Sequence, residues 1–134
     1  MKSLKIAIPS SGESIDASIS PVFGRAQYFI IAEIENGEIK EWKAIKNPAE
    51  LQRGGAGICA ARIVCEEGIE AVVTITIGPR AFDALKLSGV KIYRGIEDSV
   101  RKNLELLAKN ELSELEAPSP GGMGRRGRCF RGRW

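Results

Sequence analysis

The chain has 134 residues, within the usual range of one domain, and 43% hydrophobic with 28% charged residues suits a soluble body built around a core. Three cysteines are too few, and odd in number, for a secreted disulfide scaffold, and the absence of histidine excludes Ser-His-Asp and Cys-His catalysis, histidine metal sites and histidine proton shuttles. The net charge of +3 is uneven: residues 1–116 carry 15 basic against 17 acidic side chains, whereas residues 117–134 carry five arginines and no acid.

Leu4 to Ile8 is short and apolar and is ended by Pro9-Ser10-Ser11-Gly12, which predicts a buried strand and then a loop. It is too short for a secretory signal, and no apolar run approaches the roughly 18 residues of a membrane span, so a cytoplasmic protein with free thiols is expected. The 10–25 loop holds Ser10, Ser11, Glu13, Ser14, Asp16, Ser18 and Ser20, polar residues that suit either a binding loop or turn and capping chemistry. Ala26 to Ile34 reads as a second strand and Glu38 to Ile45 as a third, with Ile39, Trp42 and Ile45 on or near one face. The intervening Asn36-Gly37 predicts an antiparallel hairpin.

After Asn47-Pro48, a glycine-opened helix is expected over Ala56–Glu67 and capped by Gly68. The β-branched run Ala71–Ile77 suits a strand buried on both faces, Pro79 starts a helix to Ser88, Val90–Tyr93 is a short strand, and Ile96–Asn110 is a last helix. From Ser113 onward core periodicity stops. The division expected is a domain over 1–112 and a flexible Gly/Arg-rich tail over 113–134. The order β-β-β-α-β-α-β-α predicts an α/β fold: a mixed five-stranded sheet, with an N-terminal antiparallel hairpin and parallel strands, flanked by helices. Ligands of such sheets bind beyond the carboxyl ends of the parallel strands, here loops 9–24, 53–58 and 77–80.

Gly55-Ala56-Gly57-Ile58-Cys59-Ala60 matches a loose dinucleotide pattern but lacks the preceding strand, and no Walker Gly-Lys-Ser/Thr occurs. Two general readings of Gly55, Ala56 and Gly57 stand: free amides at a helix start that favour an anion, or glycines that only let the chain turn tightly. Cys59 and Cys65 lie roughly 120° apart around a helix and cannot chelate one metal together. Cys65 reads as core. Cys59, in the first turn where the helix dipole favours a thiolate, reads as a ligand or as a small core residue. Cys129 lies among the tail arginines, so Cys59 and Cys129 are the candidate metal ligands. One cysteine per site falls short of a closed shell and would need inorganic sulfide, shared ligands or a second subunit. A two-metal carboxylate cluster is not evident, because Asp16 and Asp83 are the only aspartates before Asp98. The Arg-Gly tail reads as a solvated tail or an arm over an anionic ligand, and less well as an RNA-binding arm, because the body supplies no basic face.

The blocks Asp16-Ala17-Ser18-Ile19-Ser20-Pro21-Val22-Phe23-Gly24-Arg25-Ala26 with Tyr28-Phe29, Gly54-Gly55-Ala56-Gly57-Ile58, and Ile77-Gly78-Pro79-Arg80-Ala81-Phe82 with Leu85-Lys86 occur in an order and spacing that resembles the dinitrogenase iron-molybdenum cofactor biosynthesis family, over about residues 4–112. The resemblance implies a three-layer ribonuclease H-like fold. It also implies a role in binding or carrying iron–sulfur or molybdenum–iron–sulfur cofactor precursors. Cofactor-carrying relatives have a histidine just before this Phe-Gly; this chain has Val22, so that ligation does not transfer. The expectation is a non-catalytic carrier or accessory protein for an anionic metal–sulfur cluster, bound by Arg25, Gly55, Ala56, Gly57, Cys59 and Arg80, with a protein partner in cluster delivery. The alternative is a regulatory module that binds an organic anion or a protein, with the tail as its interaction arm.

Overall fold

A computed structural model of the chain describes residues 3–48 and 55–117. Strands β1 (Ser3–Ser10), β2 (Tyr28–Glu35), β3 (Glu38–Lys46), β4 (Ala71–Thr74) and β5 (Lys91–Arg94) form one sheet in the order β3-β2-β1-β4-β5. β1, β2 and β3 pair antiparallel, and β1, β4 and β5 pair parallel, which is the mixed sheet the sequence predicts. Helices α1 (Ala56–Cys65) and α2 (Pro79–Leu87) cover one face, and α3 (Val100–Ala108) covers the other. No helix among the described residues is long and apolar enough to cross a membrane.

Pleat parity divides the core in two. Ala7, Phe29, Ile31, Val72 and Ile92 meet Ala60, Ala61, Val64, Ala81 and Leu85 of α1 and α2. Their neighbours Ile6, Ile8, Ile30, Ala32, Ala71 and Val73 meet Val100, Leu104 and Leu107 of α3. The registers Ala7↔Ile31, Ala7↔Val72 and Val72↔Ile92 keep each set on one face across four strands.

Asn36 and Gly37 both take positive φ (56° and 80°), so the β2–β3 turn twists with its strands as a two-residue hairpin. Register slips between Glu33 and Ile34 place Lys40 as an extra residue in β3. This corrects the expected common face. The bulge puts Ile39 and Trp42 on the α3 side, opposite Ile34 and Ala32, whereas Ile45 packs against the α1/α2 cluster.

Three boundaries also differ from expectation. β1 runs through Pro9, which pairs with Phe29 on one side, while the ladder to β4 engages only Ile6 and Ala7, so the missing N–H is not needed. β4 ends at Thr74, whose buried hydroxyl donates to Thr76 O at 3.0 Å. α3 begins at Val100, because buried Asn103 holds the preceding loop: Ile96 N–H donates to Asn103 Oδ1 (2.8 Å), and Asn103 Nδ2 donates to Ile96 O (3.1 Å) and Ser99 O (2.9 Å). After α3, Ser113–Leu115 runs back along β5 through Arg94 N–H to Ser113 O and Leu115 N–H to Ile92 O.

Asp16 and Arg101 join the 10–20 loop to α3 through an exposed pair, Nε to Oδ1 at 2.8 Å. The hydrogen bond from Arg101, with its guanidinium charge, holds the Asp16 carboxyl below its usual range. A lowered carboxyl stabilises the fold above the unfolded carboxylate value and stops doing so as pH falls through the folded one. By NMR titration Asp16 is expected to have a midpoint below that of a model peptide, and Arg101→Met to bring it back up; an unchanged midpoint refutes the pair. Asn103→Ala, which leaves the Ile96 N–H without an acceptor while Ile96 O and Ser99 O keep their backbone donors, is expected to lower unfolding free energy by about 1–3 kcal/mol in urea denaturation.

Candidate functional site

The three loops expected beyond the carboxyl ends of the strands do not behave alike. Residues 11–20 turn toward α3. Ser10 Oγ donates to Gly12 O (2.7 Å), Ser11 Oγ donates to Ser18 O (3.1 Å), and Ser14 Oγ accepts from Asp16 N–H (3.0 Å), so these hydroxyls serve turns. Ala17 O and Ile15 O accept from Val100 and Arg101 N–H, both at 2.8 Å, and Ser99 Oγ accepts from Lys102 N–H at 3.1 Å. The first amides of α3 are therefore occupied by the protein's own oxygens.

Residues 21–25 turn the other way. Thr76 clamps them: its hydroxyl donates to Pro21 O at 2.6 Å, its N–H donates to the same oxygen at 3.0 Å, and its own carbonyl accepts from Phe23 N–H at 3.1 Å. Phe23 is fully buried and its ring lies 5.1 Å from that of Phe29, which fixes the one-turn 3-10 helix Phe23–Arg25 on the α1/α2 face. Buried Asn47 donates from Nδ2 to Ala26 O at 2.8 Å and holds the far end of the turn. Gly24 then meets the start of α1: a Cβ at Gly24 would lie 2.9 Å from Gly57 Cα and from Gly57 N. On its other side, a Cβ at Gly57 would lie 3.2 Å from Ala81 Cβ of α2. The chain thus stacks Gly24, Gly57 and Ala81 and brings the N-termini of α1 and α2 side by side.

The described residues leave these two helix starts unfilled, where they fill that of α3. Gly55 caps α1 with left-handed backbone (φ 72°), and no side chain among the described residues caps α1 or α2. Cys59 N–H donates to Gly55 O and Phe82 N–H to Gly78 O. Among the described residues, no oxygen accepts from the N–H groups of Ala56, Gly57 and Ile58, or from those of Arg80 and Ala81. Gly55 is exposed, Gly57 and Ile58 are half-buried, and Ala56 is buried beneath the turn. Gly57 makes a close packing contact, as the tight-turn reading expects, and among the described residues the first amides of the helix it opens have no acceptor.

Cys59 and Cys65 are free and half-buried. Cys65 packs against the α1/α2 core as expected; Cys59 belongs to neither core cluster. Arg25 and Arg80 are exposed, Arg25 at the end of the 3-10 turn and Arg80 in the first turn of α2. Cys129 lies outside the described residues. Among the described residues no three Cys, Asp or Glu side chains gather as a metal site. Gly24, Thr76 and Ala81 also shape this surface, although none of them is among the site residues expected from the sequence. A threonine closing the β-branched run Ala71–Ile77 was the available sign of Thr76.

This geometry has relatives. A model of the dinitrogenase iron-molybdenum cofactor family matches residues 2–110. The chain belongs to this family. An uncharacterized protein of Methanocaldococcus jannaschii is 34% identical over 116 residues, covering 87% of this chain and 95% of that protein. Among solved structures, the apo form of the orange protein from Desulfovibrio gigas superposes with a TM-score of 0.81 at 26% identity, over 87% of this chain and 96% of that one. A Thermotoga protein provisionally assigned as a NifB protein superposes with a TM-score of 0.74 at 28% identity, over 92% and 99%.

Gly24→Ala drives a methyl into the Gly57 backbone and is expected to destabilise the fold by about 1–3 kcal/mol. Gly57→Ala meets only a methyl, gains helix propensity, and is expected to stay within about 1 kcal/mol of the parent. Urea denaturation checks the order, and equal effects refute the stacking.

Proposed function

We propose that this protein is a non-catalytic carrier or accessory protein that binds an anionic iron–sulfur or molybdenum–iron–sulfur cluster, or a precursor of one, where residues 21–25 meet the N-termini of α1 and α2. The observation that carries the reading is the pair of adjacent helix starts whose first amides find no acceptor among the described residues, beside Cys59, a free thiol outside both core clusters. Family membership supports the cargo class. So does the likeness to a protein solved in an apo form, since a protein with an apo form takes up a ligand.

The donor set selects among clusters. A cluster held by protein alone needs about four thiolates, and no such set gathers among the described residues. A preassembled cluster that brings its own sulfide needs less. Helix amides and guanidinium groups neutralise its charge, and one soft thiolate contacts metal. In this reading Gly55, Ala56 and Gly57 supply amides, Cys59 the thiolate, and Arg25 and Arg80 positive charge. Cys129 is the proposed second thiolate, from the tail. Arg80 and Ala81 N–H extend the amide set from α2. A weakly held, preassembled cargo also suits transfer to an acceptor protein.

Anaerobic addition of iron with sulfide, or of a thiomolybdate anion, is expected to give a visible charge-transfer band. Cys59→Ser is expected to remove the metal–thiolate part of that band. Arg80→Ala is expected to weaken binding about ten- to a hundredfold, the range for loss of one charge-assisted contact. No band with either addition overturns the carrier function; a band unchanged in both variants overturns the site.

A further inference from the structure

A concavity lies on the α3 side of the same sheet edge. It has a volume of about 260 Å³ and is lined by Ser18, Ile19, Pro21, Ile75, Glu97 and Asp98. That is below the roughly 300–1,000 Å³ of small-molecule pockets and suits one large side chain. Its floor is apolar: Ile19 belongs to the α3-side core and Ile75 packs against it. Its rim is acidic, with Glu97 and Asp98 exposed and in no ion pair among the described residues. Of the four exposed large hydrophobic residues among the described ones, two flank it: Val22, at 44% exposure, follows Pro21, and Ile96, at 40%, precedes Glu97.

We infer that this cleft is the docking site of the chain's own C-terminal segment, with an aromatic side chain of Phe130 or Trp134 on the apolar floor and the neighbouring arginines against Glu97 and Asp98. The complementarity is twofold. The 17 residues after Ala117 carry Arg125, Arg126, Arg128, Arg131 and Arg133 without an acid, and they interleave Phe130 and Trp134 among them. Opposite charge at the rim selects the basic segment, and an aromatic–arginine pair is the composition that anchors into small apolar pockets with charged rims. Reach is sufficient. Seventeen residues extend up to about 56–60 Å, and a domain of this length has a radius of gyration of about 14 Å, so the segment spans the molecule from any starting point. Tethering raises its local concentration to the millimolar range, so a modest contact suffices. The inference does not depend on what binds at the start of α1 and is tested on the protein without any cluster.

The test uses the full-length chain carrying Trp42→Phe, which leaves Trp134 as its only tryptophan. The expected result is Trp134 emission shifted to the blue and shielded from acrylamide. Shielding should be lost in about 1 M salt, where screening acts within about 3 Å. It should also fall several-fold in Glu97→Lys, a substitution at an exposed position. In NMR spectra, the chain ending at Ala117 and the full chain are expected to differ at Ser18–Val22, Ile75 and Ile96–Asp98. This comparison also reports docking through Phe130. Spectra that coincide at these residues overturn the inference, whether or not Trp134 is shielded. Shielding lost on hundredfold dilution also overturns it, because the occupant is then the tail of a second copy.

Discussion

The arrangement rests on one backbone contact. Gly24 lies against Gly57 closely enough to exclude a side chain, and Gly57 in turn meets Ala81. Without these small residues, the 3-10 turn, α1 and α2 would each stand off by the width of a methyl group or more, and the two helix starts would no longer form one surface. The Thr76 clamp on Pro21 and the buried Phe23 ring set the turn at the required height. The packing is thus also what creates the electrostatics: two positive helix ends add only because they are adjacent.

The contrast with α3 explains why the polar residues of the 10–25 loop do not all belong to the site. Helix starts need oxygens, and the chain provides them from Ile15, Ala17 and Ser99 to α3. None is supplied from the described residues to α1 or α2. Three similar helix N-termini at one sheet edge therefore have different availability. An anion at the two that the described residues leave unfilled is the physical content of the proposed carrier function.

Much of this was legible in the sequence. Alternation and β-branching located the strands, Asn36-Gly37 fixed the hairpin, and Pro79 marked the start of α2. The order of elements then implied the mixed sheet, and with it the edge at which the ligand is proposed to sit. Other features depended on contacts distant in the chain. The Lys40 bulge depends on which residue of β3 faces β2, and no local pattern encodes it. Pro9 continues β1 because its other neighbour does not ask for an N–H. Asn103 reorganises residues 95–99 from inside α3, seven residues beyond the Ile96 it holds. At the site, Gly55, Gly57 and Cys59 stood out by type and spacing. Gly24 read as a loop glycine, because its partner lies 33 positions away.

The bulged strand also bears on association between molecules. β3 is the outer strand on the hairpin side, nine residues long, and a regular strand of that length would be a template for another chain's backbone. Lys40 interrupts its spacing, and Lys43 and Lys46 add charge to the same strand. A foreign strand laid along it would lose register at the kink and would have to pass the charged side chains of Lys40 and Lys43, which pair with Glu35 and Glu67. The outer strand of the hairpin is thereby a poor template for fibril-like growth.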